Sequence, residues 1–181
     1  MSFIPAFEIG ILNGWIFTIF FVFHQIIMRP IMHRHNRKMD SNIEKAAYYI
    51  NVPTMFVLSL YSVFLPLKLG TACFYVGLFI YLMGTMVMIT ALVNFYSAPA
   101  KEPVTNGIYH YSRHPMYLAF ILWFVGVGIA TASWIIILVS IILVVPINIG
   151  INSEERYCLK KYGDIYQEYL NTVPRWIGIS K

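Results

Sequence analysis

The chain has 181 residues, of which 59% are hydrophobic and only 12% charged, with a net charge of +5 and a mean hydropathy of +0.66. Ordinary soluble domains carry about 25% charged residues, and one of this size has no interior large enough to hide so much apolar surface. Lipid must therefore cover part of the chain. The composition predicts an all-α integral membrane protein of one domain, and it excludes a basic soluble module for nucleic acid.

A membrane-spanning helix needs about 20 mostly apolar residues, and helices are expected because lipid satisfies no bare backbone. Residues 7–28 are the first candidate span, with Glu8 at the outer edge. The run opens on no basic stretch and ends at Arg29, unlike a cleaved signal peptide. The second candidate covers 48–67, with Pro53 near its start and Pro66 near its end, and the third covers 69–93. The fourth and fifth, 116–130 and 133–151, are separated by Thr131 and Ala132 alone, which predicts a tight helical hairpin. The fourth is short, so it either tilts or turns back before crossing completely. Cys73 and Cys158 have neither metal-site nor disulfide spacing and read as packing residues; no metal ligand set is expected.

Charge predicts the orientation. No Lys or Arg precedes the first span, whereas Arg29, Arg34, Arg37, Lys38 and Lys45 follow it. Lys68 stands alone in the next connection, Lys101 and Arg113 precede the fourth span, and the tail carries Arg156, Lys160, Lys161, Arg175 and Lys181. By the positive-inside rule the N-terminus lies outside and the tail, residues 152–181, lies in the cytoplasm. Attraction to anionic headgroups follows from the same distribution. His33 and His35 in the basic run read as part of a topogenic segment, with headgroup binding as the alternative.

Two polar segments fall on that face. The first ends in Tyr109-His110-Tyr111-Ser112-Arg113-His114-Pro115-Met116-Tyr117. Pro115 has no N–H and suits the first turn of the fourth helix, which sets Arg113 and His114 at its mouth. Arg and Tyr there also fit a plain interfacial anchor. The second is Asn152-Ser153-Glu154-Glu155-Arg156. Adjacent carboxylates repel each other and invite a cation. Their plainer reading has Ser153 capping a new helix with the acids in its first turn. Beyond them Glu155, Leu159, Tyr162, Tyr166, Tyr169 and Val173 form an amphipathic stripe. It reads as a helix lying on the membrane or bundle, or as tyrosines roofing a cavity, with a bend at Gly163. Val173-Pro174-Arg175-Trp176-Ile177 closes the stretch with what reads as an interfacial Trp and Arg.

Gly107-Ile108-Tyr109, Arg113-His114-Pro115-Met116-Tyr117, Glu154-Glu155, Tyr162-Gly163 with Tyr166 and Tyr169, and Val173-Pro174-Arg175 occur in one order over residues 94–177. That series resembles the isoprenylcysteine carboxyl methyltransferase family and its phospholipid methyltransferase relatives. The resemblance implies an integral membrane enzyme using S-adenosylmethionine, bound on the cytoplasmic side between the last two membrane helices and the C-terminal segment. Carried over, His114, Pro115 and Tyr117 line the cofactor site with Arg113 beside them. Glu154 and Glu155 hold the cofactor's polar groups, and Tyr109, Tyr162 and Tyr166 are candidates for the wall. Arg113, His114, Glu154 and Glu155 are the candidate catalytic residues. The implied partner is a membrane lipid or lipidated substrate, and no nucleic acid.

The acceptor is open at this level between a phospholipid amine, an isoprenylcysteine carboxylate and a thiol. Prenylcysteine enzymes carry arginines just ahead of the acidic pair, whereas residues 148–152 here read Asn-Ile-Gly-Ile-Asn. That difference favours a lipid amine or another small amphipathic nucleophile, which must lose a proton to Glu154, Glu155 or His114. The competing readings are an NADPH-dependent sterol-reductase-like enzyme and a non-catalytic membrane scaffold in which the same charges form a structural cluster.

Overall fold

The structure, a computed structural model, describes residues 10–35, 42–99 and 102–178, with backbone only for 28–35. Seven α-helices follow in chain order: α1 (Trp15–His35), α2 (Asn42–Ser62), α3 (Ala72–Ser97), α4 (Pro115–Ala130), α5 (Trp134–Ile142), α6 (Val144–Tyr162) and α7 (Asp164–Thr172). A short 3-10 turn, Gly107–His110, precedes α4. No strand occurs among the described residues. The expected charges at Glu8, Arg37, Lys38, Lys101 and Lys181, and the side chains of Arg29, His33, Arg34 and His35, lie outside the described residues.

Two helical stretches are long and apolar enough to cross a membrane, Ala72–Ser97 and Trp134–Tyr162. Shorter apolar helices are Trp15–Ile27 and Pro115–Ala130. Large apolar side chains face outward along them, among them Phe23, Phe79, Met86, Ile141 and Val145. Water would penalise such a girdle, while lipid solvates it.

Several boundaries differ from the sequence-based expectation. The second span is displaced: α2 begins at Asn42 and ends at Ser62 instead of covering 48–67. After it, Leu65 is buried and Pro66 bridges Asn13. The third begins at Ala72, not residue 69, because the Thr71 hydroxyl accepts from the Phe74 N–H and caps it. The fifth does not end at 151. α5 and α6 adjoin at Leu143 and carry the helix through to Tyr162. Ser153 and the acidic pair therefore sit inside a helix, and their capping reading is overturned.

Two ends of the bundle can be told apart. At one, Leu67 N–H donates to the Leu12 carbonyl, Gly14 N–H to Leu65, and Lys68 N–H to Ala130. The turn between α4 and α5 lies there too. It is as tight as the sequence predicts, with Ser133 N–H donating to Gly128 at 2.7 Å. The opposite end gathers the start of α2, the loop before α4, the second half of α6 and α7. α4 thus runs from one end to the other with only 16 residues.

The α3–α4 seam sets how closely those ends are held. A Cβ on Gly77 would lie 2.3 Å from Ala130 N, and one on Gly126 would lie 2.8 Å from the Gly77 carbonyl. Small residues let two backbones meet, and dispersion between them substitutes for the hydrophobic force that lipid removes. Above the seam Trp123 Nε1 donates to Thr85 Oγ1 at 2.9 Å and Tyr81 Oη to the Phe17 carbonyl at 2.6 Å.

The seam makes opposite predictions for two glycines. Gly77→Val should lower stability by about 2 kcal/mol or more through backbone overlap. Gly150→Ala in α6, where a Cβ meets nothing within 4 Å, should raise it by about 0.5–1 kcal/mol through helix propensity. Thermal unfolding of both variants in one detergent checks the sign of each.

Candidate functional site

Four stretches of chain meet at the motif end. The loop before α4 is fixed first. Asn94, three residues from the end of α3, accepts the Ile108 N–H at 3.0 Å. Gly107 lies against the same side chain with φ +62°, where a Cβ would overlap it at 2.3 Å. Only glycine fits both the conformation and the space. The C-terminal stretch then pairs with this loop. Arg113 N–H donates to the Pro174 carbonyl, Gly178 N–H to the Tyr111 carbonyl, both at 3.1 Å, and Ser112 Oγ to the Arg175 carbonyl at 3.3 Å.

Pro115 opens α4 as expected, with His114 immediately before it. From that position His114 reaches α6. Its Nε2 lies 3.2 Å from Glu155 Oε1. An ionised carboxylate only accepts, so Nε2 carries the hydrogen. Arg175 grips the same carboxylate with two nitrogens, Nη2 to Oε2 at 2.5 Å and Nε to Oε1 at 3.3 Å. Arg113 adds Nη1 at 3.4 Å from Oε1 and donates to the Leu170 carbonyl at 3.5 Å. Glu155 is buried. Burial alone would raise its pKa, but the hydrogen bonds from His114 and Arg175 and the Arg113 charge outweigh that and hold it at about 2.

The neighbouring carboxylate is left differently. Glu154 has a side chain 39% exposed. Tyr117 Oη donates to its Oε2 at 3.4 Å, and His114 Nδ1 stands 3.9 Å away, beyond hydrogen-bond reach. Arg113 Nε is buried with no partner. One engaged carboxylate, one available carboxylate and one unpaired guanidinium N–H thus share the mouth of α4.

The amphipathic stripe folds over this end. Gly163, at φ 59°, breaks α6 from α7 where the sequence predicts a bend. Tyr166, Tyr169 and Val173 are buried against Cys158, Leu159 and Tyr162. Tyr169 Oη donates to the Tyr109 carbonyl at 2.7 Å, which ties α7 to the 3-10 turn. Burial raises the pKa of Tyr109, Tyr166 and Tyr169, so all three remain neutral hydrogen-bonding groups. Tyr162 lies under the Lys161 ammonium, 4.7 Å from its ring centre.

Arg113, His114, Tyr117, Glu154 and Glu155 therefore come together, while Tyr109, Tyr162 and Tyr166 belong to the roof beside them. Two residues escaped the sequence reading. Arg175 is no interfacial anchor; it is the bidentate partner of Glu155. Glu44 on α2 is buried and receives Arg156 Nη2 at 2.7 Å, fixing α2 beside the acidic pair. A lone acid in an apolar helix was the available signal for Glu44, since such a charge demands a partner.

The Glu155 cluster has a pH signature. Its folded pKa lies below the unfolded value of about 4.3. Its stabilisation is therefore fully present above that value and lost as pH falls toward 2. Glu155→Gln should abolish that acid-limb dependence. It should also cost about 3–5 kcal/mol at neutral pH, because two guanidinium groups lose their counter-charge. Detergent melting curves from pH 2 to 7 for both proteins read both effects.

The phospholipid methyltransferase family profile matches residues 65–165, from the segment before α3 through the acidic pair to the start of α7. The chain is similar to the protein-S-isoprenylcysteine O-methyltransferase of Schizosaccharomyces pombe, 30% identical over 72% of this chain and 56% of the relative. It is also similar to the enzyme of that name from Dictyostelium discoideum, 29% identical over 61% of this chain and 47% of the relative. The chain spans about half the length of these relatives. With the matched region holding α3, the α4–α5 hairpin and the Glu154-Glu155 pair in one body, the chain belongs to the phospholipid methyltransferase family.

Proposed function

We propose that this chain is an integral membrane methyltransferase that takes its methyl group from S-adenosylmethionine and gives it to a lipid amine. The observation that carries the reading is the contrast between the two adjacent carboxylates. Glu155 is fully engaged by His114, Arg113 and Arg175, while Glu154 stands part-exposed beside Tyr117 and His114.

The residues present fit the cofactor. Glu154 accepts hydrogen bonds from an amino group or ribose hydroxyls. The unpaired Arg113 Nε suits a carboxylate. The Tyr117 ring, 5.9 Å from that of His114, offers a face to a cation. When bound, S-adenosylmethionine supplies a methyl carbon on a cationic sulfur, open to in-line attack. The protein's part is alignment and exclusion of water. Glu155 with Arg113, Arg175 and the His114 N–H holds α4, α6 and the C-terminal stretch in fixed register, and the tyrosines of α7 roof them.

The charges also favour an amine over a carboxylate acceptor. A carboxylate acceptor needs a free cation, yet Arg175 is held by Glu155 and the remaining Nε of Arg113 is assigned to the cofactor's own carboxylate. Ahead of the acidic pair, Asn148 donates its amide to Val144, where a cation would have to stand. An ammonium headgroup instead needs an acceptor for its proton, and Glu154 is the carboxylate available for it. On this reading five helical passes cross the bilayer: α1, α2, α3, α4, and α5 with the start of α6. The N-terminus lies outside and the motif end faces the cytoplasm, where the basic residues of the tail meet anionic headgroups.

Calorimetry on detergent-purified protein tests the donor. S-adenosylmethionine should bind at micromolar level, and Glu154→Gln should weaken it about tenfold, as loss of a charged hydrogen bond does, with melting unchanged. Transfer of labelled methyl into a lipid extract should then yield an N-methylated lipid. Binding of NADPH would favour a reductase, and binding of neither cofactor would favour a scaffold.

A further inference from the structure

Outside this site, among the described residues, His24 and Asn51 each carry a buried polar atom without a hydrogen-bond partner. His24 on α1 is 5% exposed, and neither ring nitrogen has a hydrogen bond. Asn51 on α2 has a buried, unpaired Oδ1. An orphaned buried donor or acceptor costs about 1–3 kcal/mol, and an ionisable residue inside a membrane bundle marks function by default.

The two share a depth. The His24 ring packs edge-on to Phe120, centres 4.9 Å apart, and to Trp123 at 6.0 Å. Phe120 stands six residues beyond His114 along α4, about 9 Å below the motif end. Phe21 on α1 meets Phe56 on α2 at 5.6 Å, and counting toward the motif end from that pair brings His24 and Asn51 within about one helical turn in depth. The headgroup layer is about 5–8 Å thick on each side of the hydrocarbon core. On the proposed topology, with His114 at the outer edge of the headgroup layer, a group about 9 Å below it lies at the base of that layer, where a glycerolipid carries its ester carbonyls. Phe120 in turn meets Met55, Ile121, Leu143 and Ile147 in a closed, mostly apolar contact, and Met55 is one turn from Asn51 on the same face of α2.

We infer that His24, with Asn51, is a specificity-determining pair that hydrogen-bonds the ester carbonyl of a diacyl glycerolipid acceptor whose headgroup amine lies beside Glu154. The neutral imidazole donates one N–H to the carbonyl. The Asn51 carboxamide turns about its terminal torsion to present its NH2, because an ester carbonyl only accepts. Phe120 covers the ring and must rotate to admit the lipid. A single-chain isoprenoid acceptor has no carbonyl at this depth and gains nothing there. The inference rests on the methyltransferase reading.

The test compares diacyl phosphatidylethanolamine with its diether analogue, which keeps headgroup and chains but lacks both carbonyls. Purified enzyme in detergent, at saturating S-adenosylmethionine, should show a KM about tenfold lower for the diacyl lipid at equal kcat. His24→Leu should erase that ratio by raising the diacyl KM alone, and His24→Gln should restore part of it. His24→Leu should also raise the melting temperature, since the orphaned group is gone. Equal KM values for the two lipids in wild type, or a ratio unchanged in His24→Leu, overturn the assignment while methyl transfer stands. Labelled methyl in neither lipid overturns the lipid-amine reading and this inference with it.

Discussion

The motif end depends on one ionised carboxylate. Glu155 is buried, and its desolvation is offset by His114 from the mouth of α4, Arg113 from the loop before it and Arg175 from the C-terminal stretch. The partners come from two segments, 113–114 and the C-terminal stretch, so with α6 itself the cluster acts as a three-way tie. Removing one arm leaves charge uncompensated in a low-dielectric setting, which is far costlier than losing an exposed ion pair. The backbone bonds between 111–113 and 174–178 reinforce the same tie.

That tie works only because the helices beneath it are positioned independently. The glycine seam between α3 and α4 and the tight turn at 131–133 fix α4 against α3 and α5. Thr85, Trp123, Tyr81 and Phe17 link α1, α3 and α4 through polar groups that lipid could not satisfy. The apolar girdle fixes the environment, the seam fixes helix spacing, and the ion cluster fixes register at one end.

Much of this was legible in the sequence, for reasons that differ by element. The hairpin was read from two apolar runs two residues apart, and Pro115 from its missing N–H. The tyrosine stripe was read from its spacing and the bend from Gly163, and these readings hold. Span ends were poorly legible, because hydropathy marks apolar composition whereas a helix ends where its caps and hydrogen bonds end. Thr71 started α3 later than hydropathy suggests, and nothing stopped α6 at Ile151. Ser153 was misread for that reason: a serine before two acids is a cap only where a helix begins, and that depends on the residues before it. Arg175 was misread because an arginine near a tryptophan looks interfacial until its partner, 20 residues away, is located. His24 carried a signal of its own, one histidine in an apolar run, whose meaning depends on which helices surround it.

The adjacency of Glu154 and Glu155 joins these levels. On a helix, neighbouring residues point about 100° apart, so two carboxylates in a row cannot serve one partner set. One turns toward α4 and the C-terminal stretch and becomes structure; the other turns toward Tyr117 and the open side. Mutual repulsion would raise the pKa of one member, but the hydrogen bonds from His114 and Arg175 and the Arg113 charge hold Glu155 ionised. On the proposed reading Glu154 is the carboxylate left for a ligand. On the proposed function, a cluster that looks like redundant acid at the bundle's end divides the work between holding the fold and meeting the substrate, and a helix running unbroken through both residues is what enforces the division.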